Sequence, residues 1–449
     1  MSLKDILNKG VINKVGINYK NVNDLFNIPS STPSPTIKKS NIDSDLNINP
    51  NSNNLDETFI IGYINDIILN AMQLDASDIH IEPTENILKV RFRVDGNFIK
   101  YKEFPKTDKE SFIARIKIMA YLRIDEHRLP QDGKINYKLF AGKSSDLRVS
   151  IIPTIYGEKC VIRILKKDSK PPQLKELGIQ PYNMVKIKKH IRDSYGMILA
   201  VGPTGSGKST TLFSLLSQFN AEENNISTLE DPVEYRIPGV NHTQINPAIN
   251  FSFANGLRSL LRQDPDIIMV GEIRDEETAK LAVEASITGH IVFSTLHTNS
   301  AVHTIQRLVN LGIDPLLITS SLRIIVSQRL GRRLCPICKE KYTPDSGKKQ
   351  YILGKIGKYI KNKDNFSLYR ANENGCDKCN NTGYKGRVGF FELLEITDSI
   401  EELILKQVNK NDIEKQAIKD GMFPILEDAL IKVFLGETSI EEVLYVIGN

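Results

Sequence analysis

The stretch MILAVGPTGSGKST, residues 197–210, decides the fold of this chain. Five apolar residues without a polar break predict a strand buried on both faces, as in a parallel sheet covered by helices. The loop after it fits G-x-x-x-x-G-K-[ST] between that strand and an apolar helix carrying Leu212, Leu215 and Leu216. Gly202, Gly205 and Gly207 let backbone N–H groups wrap phosphates, and the helix adds the positive end of its dipole. Lys208 is then expected to reach the β- and γ-phosphates and Ser209 to ligate Mg2+. Pro203, Thr204, Ser206 and Thr210 complete the nucleotide loop. ATP is the expected ligand.

The short β-rich runs ISTLE, DIIMV and HIVFST alternate with helical segments downstream, which makes this domain α/β. In DPDIIMVGEIRD (264–275) the strand ends in Gly271 and Glu272, where an Asp linked to magnesium is common in such sites. Asp264 and Asp266 cannot replace it. They precede the strand, and ligands gather at the carboxyl ends of parallel strands, more than about 10 Å away. Glu272 lies on the correct edge to act as a general base toward the attacking water. The run STLEDPVEY (227–235) brings Glu230, Asp231 and Glu234 to the same edge. There Glu230 and Asp231 are candidates to hold Mg2+ through its waters. HIVFSTLHTN (290–299) places His290 and His297 at opposite ends of a third strand, with His297 and Thr295 on the phosphate edge.

Upstream, residues 21–56 are rich in Asn, Ser and Pro and read as a flexible linker behind a short stub, so 1–56 is not expected to fold as a module. From residue 57 to 168, a helical apolar pattern and the alternating runs LKVRFRVDG, KINYKL, LRVSIIPT and KCVIRIL predict an α+β domain on an antiparallel sheet. A helix is expected near 108–122. Residues 169–180 (about SKPPQLKELGIQ) read as a hinge, and 181–449 as the ATPase domain. Its tail, 396–449, reads as helical, with capping boxes expected at Ser399-x-x-Glu402 and Thr438-x-x-Glu441.

Of the five cysteines, four form CPIC (335–338) and CDKC (376–379). Cys335, Cys338, Cys376 and Cys379 are therefore the expected ligands of a structural Zn2+ site within 333–384. Cys160 is expected in the core. A net charge of +5 over 449 residues is too small to argue for a nucleic-acid partner. No apolar run approaches the roughly 18–20 residues of a membrane span, and no secretory signal is evident, so a cytoplasmic location is expected.

Together these segments resemble the secretion-ATPase superfamily, and more narrowly the type II secretion and type IV pilus assembly ATPases (the GspE/PilB class). ASDIHIEP, RFRVDG, RLPQDGK and IPTIYGEKCVIRIL resemble the family's second N-terminal domain. The four later motifs resemble its Walker A, Asp box, Walker B and His box in order. The resemblance implies a RecA-like P-loop NTPase domain preceded by a PAS-like α+β domain. It implies a homohexameric motor on the inner face of the cell membrane, docked on a platform protein and driving pilus or pseudopilus assembly. It gives Glu272 the catalytic role, Glu234 that of the Asp box, and His290 and His297 those of the His box. It also implies arginines sent toward the nucleotide, for which Arg91, Arg93, Arg128, Arg148 and Arg163 are candidates. The tetracysteine element resembles that of assembly rather than retraction ATPases. Many assembly ATPases carry a larger first domain, so cyclic di-GMP binding is not expected here. Two other readings stay open: a hexameric nucleic-acid motor and a nucleotide-dependent switch with little turnover.

Overall fold

The computed structural model describes residues 57–138, 144–166, 170–360 and 366–448. The stub and linker read in 1–56 lie outside the described residues. Two compact units are present, the first holding 57–166 and the second most of the chain from Lys170.

The first unit is built on strands β1 (Asp78–Pro83), β2 (Ile87–Val94), β3 (Asn97–Pro105), β4 (Gln131–Lys138), β5 (Ser144–Thr154) and β6 (Gly157–Lys166). They form one antiparallel sheet in the order β3-β2-β1-β6-β5-β4. Alternation sorts the two faces. Leu88, Val90 and Phe92 of β2 join Ile79, Ile81, Val149 and Ile162 against the helices Glu57–Gln73 and Lys109–Met119. Cys160 belongs to this core, and burial pushes its thiol pKa up.

The second unit centres on β7 (Gly196–Val201), β8 (Ile226–Glu230), β9 (Asn241–Gln244), β10 (Ile267–Val270), β11 (Ile291–Leu296) and β12 (Leu322–Leu334). A short antiparallel pair, β13 (Glu340–Tyr342) and β14 (Leu368–Arg370), follows, and β15 (Tyr384–Glu395) completes the large sheet. Its order is β15-β12-β7-β11-β10-β8-β9, and the six strands from β12 to β9 run parallel.

Successive residues of each central strand feed opposite cores. Leu199, Val270 and Val292 pack with the helices Glu276–Ile287 and Ala301–Asn310. Ala200, Met269 and Phe293 pack with Leu212, Phe213 and Leu216 of the helix Lys208–Leu216. That double burial is why these strands read as unbroken apolar runs.

The C-terminal part is helical, but neither capping box forms where the sequence places it. The helix Asp398–Leu405 starts after Thr397, and the Ser399 hydroxyl instead donates to Asp420 at 2.5 Å. The last helix, Ile440–Ile447, is capped by Ser439, whose oxygen accepts from the Glu442 N–H. Thr438 instead donates to the Arg332 carbonyl at 2.8 Å. Each segment offers two nearby hydroxyls, and tertiary partners compete for them: Asp420 accepts from both Thr397 and Ser399, and the Arg332 carbonyl from Thr438.

A charged cluster fastens the helix Pro181–His190 to the end of β15. The buried His190 ring contacts Asp193 at 2.8 Å and Glu395 at 3.0 Å. Burial alone would lower the His190 pKa, but its bonds to Glu395 and Asp193 outweigh that and raise it. The bond from His190, helped by Lys189, holds Glu395 down at about 2. Glu395 therefore stabilises the fold above its ordinary 4.5 and loses that contribution as pH falls toward about 2. His190 stabilises below its ordinary 6.5 and loses its contribution as pH rises through the raised folded value. The melting-temperature gap between the wild type and Glu395→Gln should be widest between about pH 4.5 and 6.5. Thermal melts across pH check this, and a gap independent of pH contradicts it.

Candidate active site

The carboxyl ends of β7, β8, β10, β11 and β12 share one edge, and the motif residues meet there. The backbone of Val201 lies opposite Leu296 of β11 and Ser327 of β12, so the loop 202–207 leaves the sheet between two parallel neighbours. Gly207 caps the helix Lys208–Leu216 with φ 86°, and a Cβ there would come within 2.8 Å of the Gln328 amide nitrogen. Any other residue would be strained and would push Gln328 from its bond with the Thr211 hydroxyl, 2.6 Å long.

Lys208 is buried and folds back over the loop, donating to the carbonyls of Gly202 at 2.9 Å and Pro203 at 3.2 Å. Burial lowers its pKa; the Glu272 carboxylate opposes that shift and the Arg329 guanidinium adds to it. A cation held among carbonyls beside a second cation suits an anionic ligand. Pro203, Thr204 and Gly205 are exposed, Ser206 is buried, and Ser209 and Thr210 are half-buried.

Glu272 follows β10 on the same edge, its side chain 15% exposed. Arg274 reaches one of its oxygens at 2.5 Å and the His297 Nε2 lies 3.5 Å from the other. Gly271, where an Asp might stand, is pinned between neighbours. Its N–H donates to the Leu229 carbonyl at 2.8 Å, and its own carbonyl accepts from the Thr295 hydroxyl at 2.8 Å. A Cβ at this position would sit 3.2 Å from that same Leu229 oxygen and 3.5 Å from Glu230 Cα. β8 thus crowds the position, and a side chain there would have to push against backbone.

Glu230 ends β8 buried, accepting from the Thr228 hydroxyl at 2.5 Å and meeting the His242 ring at 2.8 Å through the same oxygen. Asp231 and Glu234 are exposed. His290 is not brought to this edge: it precedes β11 at the amino end, its ring 2.9 Å from the Ala285 carbonyl. Asp266 also lies at that end, accepting from the Asn225 N–H at 2.7 Å.

Four of the candidate arginines lie in the antiparallel sheet of the first unit. Arg91 pairs with Glu82 at 2.7 Å, and Arg163 with Asp78 at 3.0 Å. Arg93 donates to the Gly96 carbonyl at 2.9 Å, and Arg148 stands opposite Arg163 in register. Arg128 is on a loop, 90% exposed, with Glu126 3.8 Å away.

Beside the phosphate loop lies a cavity of about 540 Å³, bounded by Pro203–Ser206, Asn299, Arg329, Leu330, Ile425, Val446 and Ile447. Reading the sequence did not find this wall. Recognising LRIIVSQ as a further parallel strand would have put Gln328, Arg329 and Leu330 on the carboxyl edge.

The sulfurs of Cys335, Cys338, Cys376 and Cys379 all lie within 4.8 Å of one another. Those of Cys376 and Cys379 are 3.8 Å apart, matching the edge of about 3.8 Å that Zn–S bonds of about 2.3 Å give a tetrahedron. The N–H groups of Cys376 and Gly383 each point at the Cys379 sulfur from 3.2 Å. The donor set fits zinc.

A parallel sheet with a glycine-rich loop, a buried lysine and a carboxylate on its carboxyl edge defines a P-loop ATPase domain. The chain belongs to the type II/IV secretion system protein family, whose model matches residues 53–445. It is 43% identical over 403 residues to the type IV pilus assembly ATPase PilB of Myxococcus xanthus, spanning 90% of this chain and 70% of that one. With the type II secretion system ATPase E of Vibrio cholerae it shares 46% identity over 391 residues, spanning 87% and 76%. Among solved structures, the ATPase DotB of Legionella pneumophila has a TM-score of 0.62 at 21% identity, covering 86% of this chain and 95% of that one. The pilus retraction motor PilT with bound ADP has a TM-score of 0.55 at 24% identity, covering 85% and 95%. At such identities these structures speak to the fold alone.

The crowding at Gly271 makes a prediction. Gly271→Asp should not improve the site; it should destabilise the protein by about 1–3 kcal/mol and cut ATP turnover. Calorimetry and a phosphate-release assay check this, and unchanged or higher activity contradicts it.

Proposed function

We propose that the protein is a hexameric motor that hydrolyses ATP to ADP and phosphate and powers assembly of a type IV pilus or a type II secretion pseudopilus. The observation that carries this reading is the meeting of Lys208, Glu272 and His297 on one sheet edge. The kinship with an assembly ATPase and a secretion ATPase, each above 40% identity, supports the cargo. Glu272 accepts the proton of the attacking water as oxygen bonds to the γ-phosphorus and the bridging P–O bond breaks. Arg274 and His297 orient that carboxylate. Glu234, in the loop that follows β8, is assigned a part beside them. We give His290 no part in the chemistry.

Ser209 is the direct donor assigned to Mg2+, with Asp231 supporting it through water; Glu230, engaged by Thr228 and His242, does so less directly. When bound, the ion would neutralise charge on the phosphates. The cavity lined by Leu330, Ile425, Val446 and Ile447 offers an apolar wall to the nucleoside. The four cysteines hold a structural Zn2+. No helix among the described residues is long and apolar enough to cross a membrane. We assign membrane association to a platform protein at the inner face.

Two outcomes follow. Glu272→Gln should lower kcat by about 100-fold or more while ATP binding persists. Turnover that survives would remove Glu272 as the base, and negligible turnover in the wild type would favour a switch over a motor. Elemental analysis should find one zinc per chain, and Cys376→Ser with Cys379→Ser should lose the zinc and lower the melting temperature. Full stability without metal would refute the zinc site.

A further inference from the structure

Glu392, on β15, is 6% exposed, and its two oxygens go to the first turns of two different helices. One accepts from the Ala301 N–H at 3.0 Å and the other from the Ile425 N–H at 3.4 Å. Ala301 opens the helix Ala301–Asn310, and Ile425 opens the helix Ile425–Phe434. Both are among the N–H groups a helix leaves without an internal acceptor, at the positive end of its dipole. Ser300 caps the first helix with its own side chain, whereas Pro424 makes no side-chain cap for the second. One buried carboxylate therefore ties two helix starts to one strand.

Those helix starts adjoin the cavity beside the phosphate loop. Asn299, two residues before Ala301, lines it, and so does Ile425 itself. Arg329, a third lining residue, donates to the Asn299 carbonyl at 2.7 Å and lies in the field of Glu392. Of the bonds Glu392 makes, one runs to the wall residue Ile425 and the other to Ala301, two residues from the wall at Asn299, whereas those that hold Lys208 run to Gly202 and Pro203.

We propose that Glu392 is a positioning residue for the nucleoside half of the nucleotide site, fixing the wall formed by Asn299, Arg329 and Ile425. The proposal rests on reading the cavity as the place of the nucleoside. A carboxylate offers acceptors to both N–H groups. Glutamine, at nearly the same volume, offers one acceptor and one donor, so Glu392→Gln turns an N–H toward a helix N–H and loosens one wall.

The test compares ligands with and without a nucleoside on the full chain. In Glu392→Gln the ADP dissociation constant and the ATP KM should rise about tenfold, the loss of one charge-assisted bond. kcat should stay within about twofold, because the loop and Glu272 are untouched. Inhibition by inorganic tripolyphosphate, which occupies the phosphate loop alone, should not change. Glu392→Asp keeps both acceptors at shorter reach and should fall between, and it carries the same comparison if the glutamine variant does not fold. Equal weakening of ADP and tripolyphosphate would mean general damage and overturn the proposal, as would unchanged ADP binding. Val446→Trp separates the two ideas by filling the cavity. If it leaves ADP binding intact, the nucleoside lies elsewhere and the reading of the cavity fails. If it weakens ADP binding and Glu392→Gln does not, only the positioning role fails.

Discussion

Every group in this site answers to the parallel alignment of six strands, whose carboxyl ends share one edge. A strand buried on both faces can present side chains to solvent only past its end. β7 therefore delivers the phosphate loop, β10 Glu272 and β11 His297, while β12 delivers Arg329 just beyond its last pairing with β7 at Ser327. The bond from the Gly271 N–H to the Leu229 carbonyl belongs to the same alignment. It brings β8 into tight contact with the end of β10, where a side chain on Gly271 would have to displace its neighbours, and the acidic function stands one residue on, at Glu272. The carboxylate of this edge is displaced by one residue and retained.

The electrostatics follow from that geometry. Lys208 is desolvated and lies in the opposing fields of Arg329 and Glu272. Two cations close together are a costly arrangement, and loop carbonyls relieve part of it by accepting from Lys208. A polyphosphate would replace those carbonyls with full negative charge. Glu272 in turn is held by Arg274 and faces His297, so protein partners on both oxygens direct the carboxylate.

How legible was this from sequence? The phosphate loop and the central strands were readable because their constraints are local: glycine backbone angles, lysine spacing, and apolar runs with no polar break. The alternation of RFRV likewise announced a sheet with one buried face, with Arg91 and Arg93 on the other. β12 and β15 were not readable. Their sequences, LRIIVSQRLGRRL and YKGRVGFFELLE, mix polar residues into the strand because their ends build the site and its supports. The expected caps at Ser399 and Thr438 slipped because Asp420 and the Arg332 carbonyl compete for the hydroxyls, and no local rule sees a partner so far away in sequence. Glu392 gave no signal at all, since its neighbours in sequence do not reveal the two helix starts it serves.

The C-terminal helices show why such polar burial persists. Four consecutive residues of β15 engage the helix Ile425–Phe434. The Gly389 carbonyl accepts from Lys432 at 2.6 Å, and the Lys432 ammonium lies over the Phe390 ring. The Phe391 N–H donates to Asp428 at 2.8 Å, and Glu392 accepts from Ile425. Asp428 and Lys432 are fully buried, and burial drives each toward its neutral form against the pull of the other. Apolar residues of equal volume would often pack there as stably. They would also let the helix slide along the strand, since apolar contacts have no register. Buried acceptors matched to single N–H groups admit one register, and that register sets Ile425 against the cavity. In a nucleotide site whose wall is made by a helix distant in sequence, fixed register is what makes the wall a binding surface.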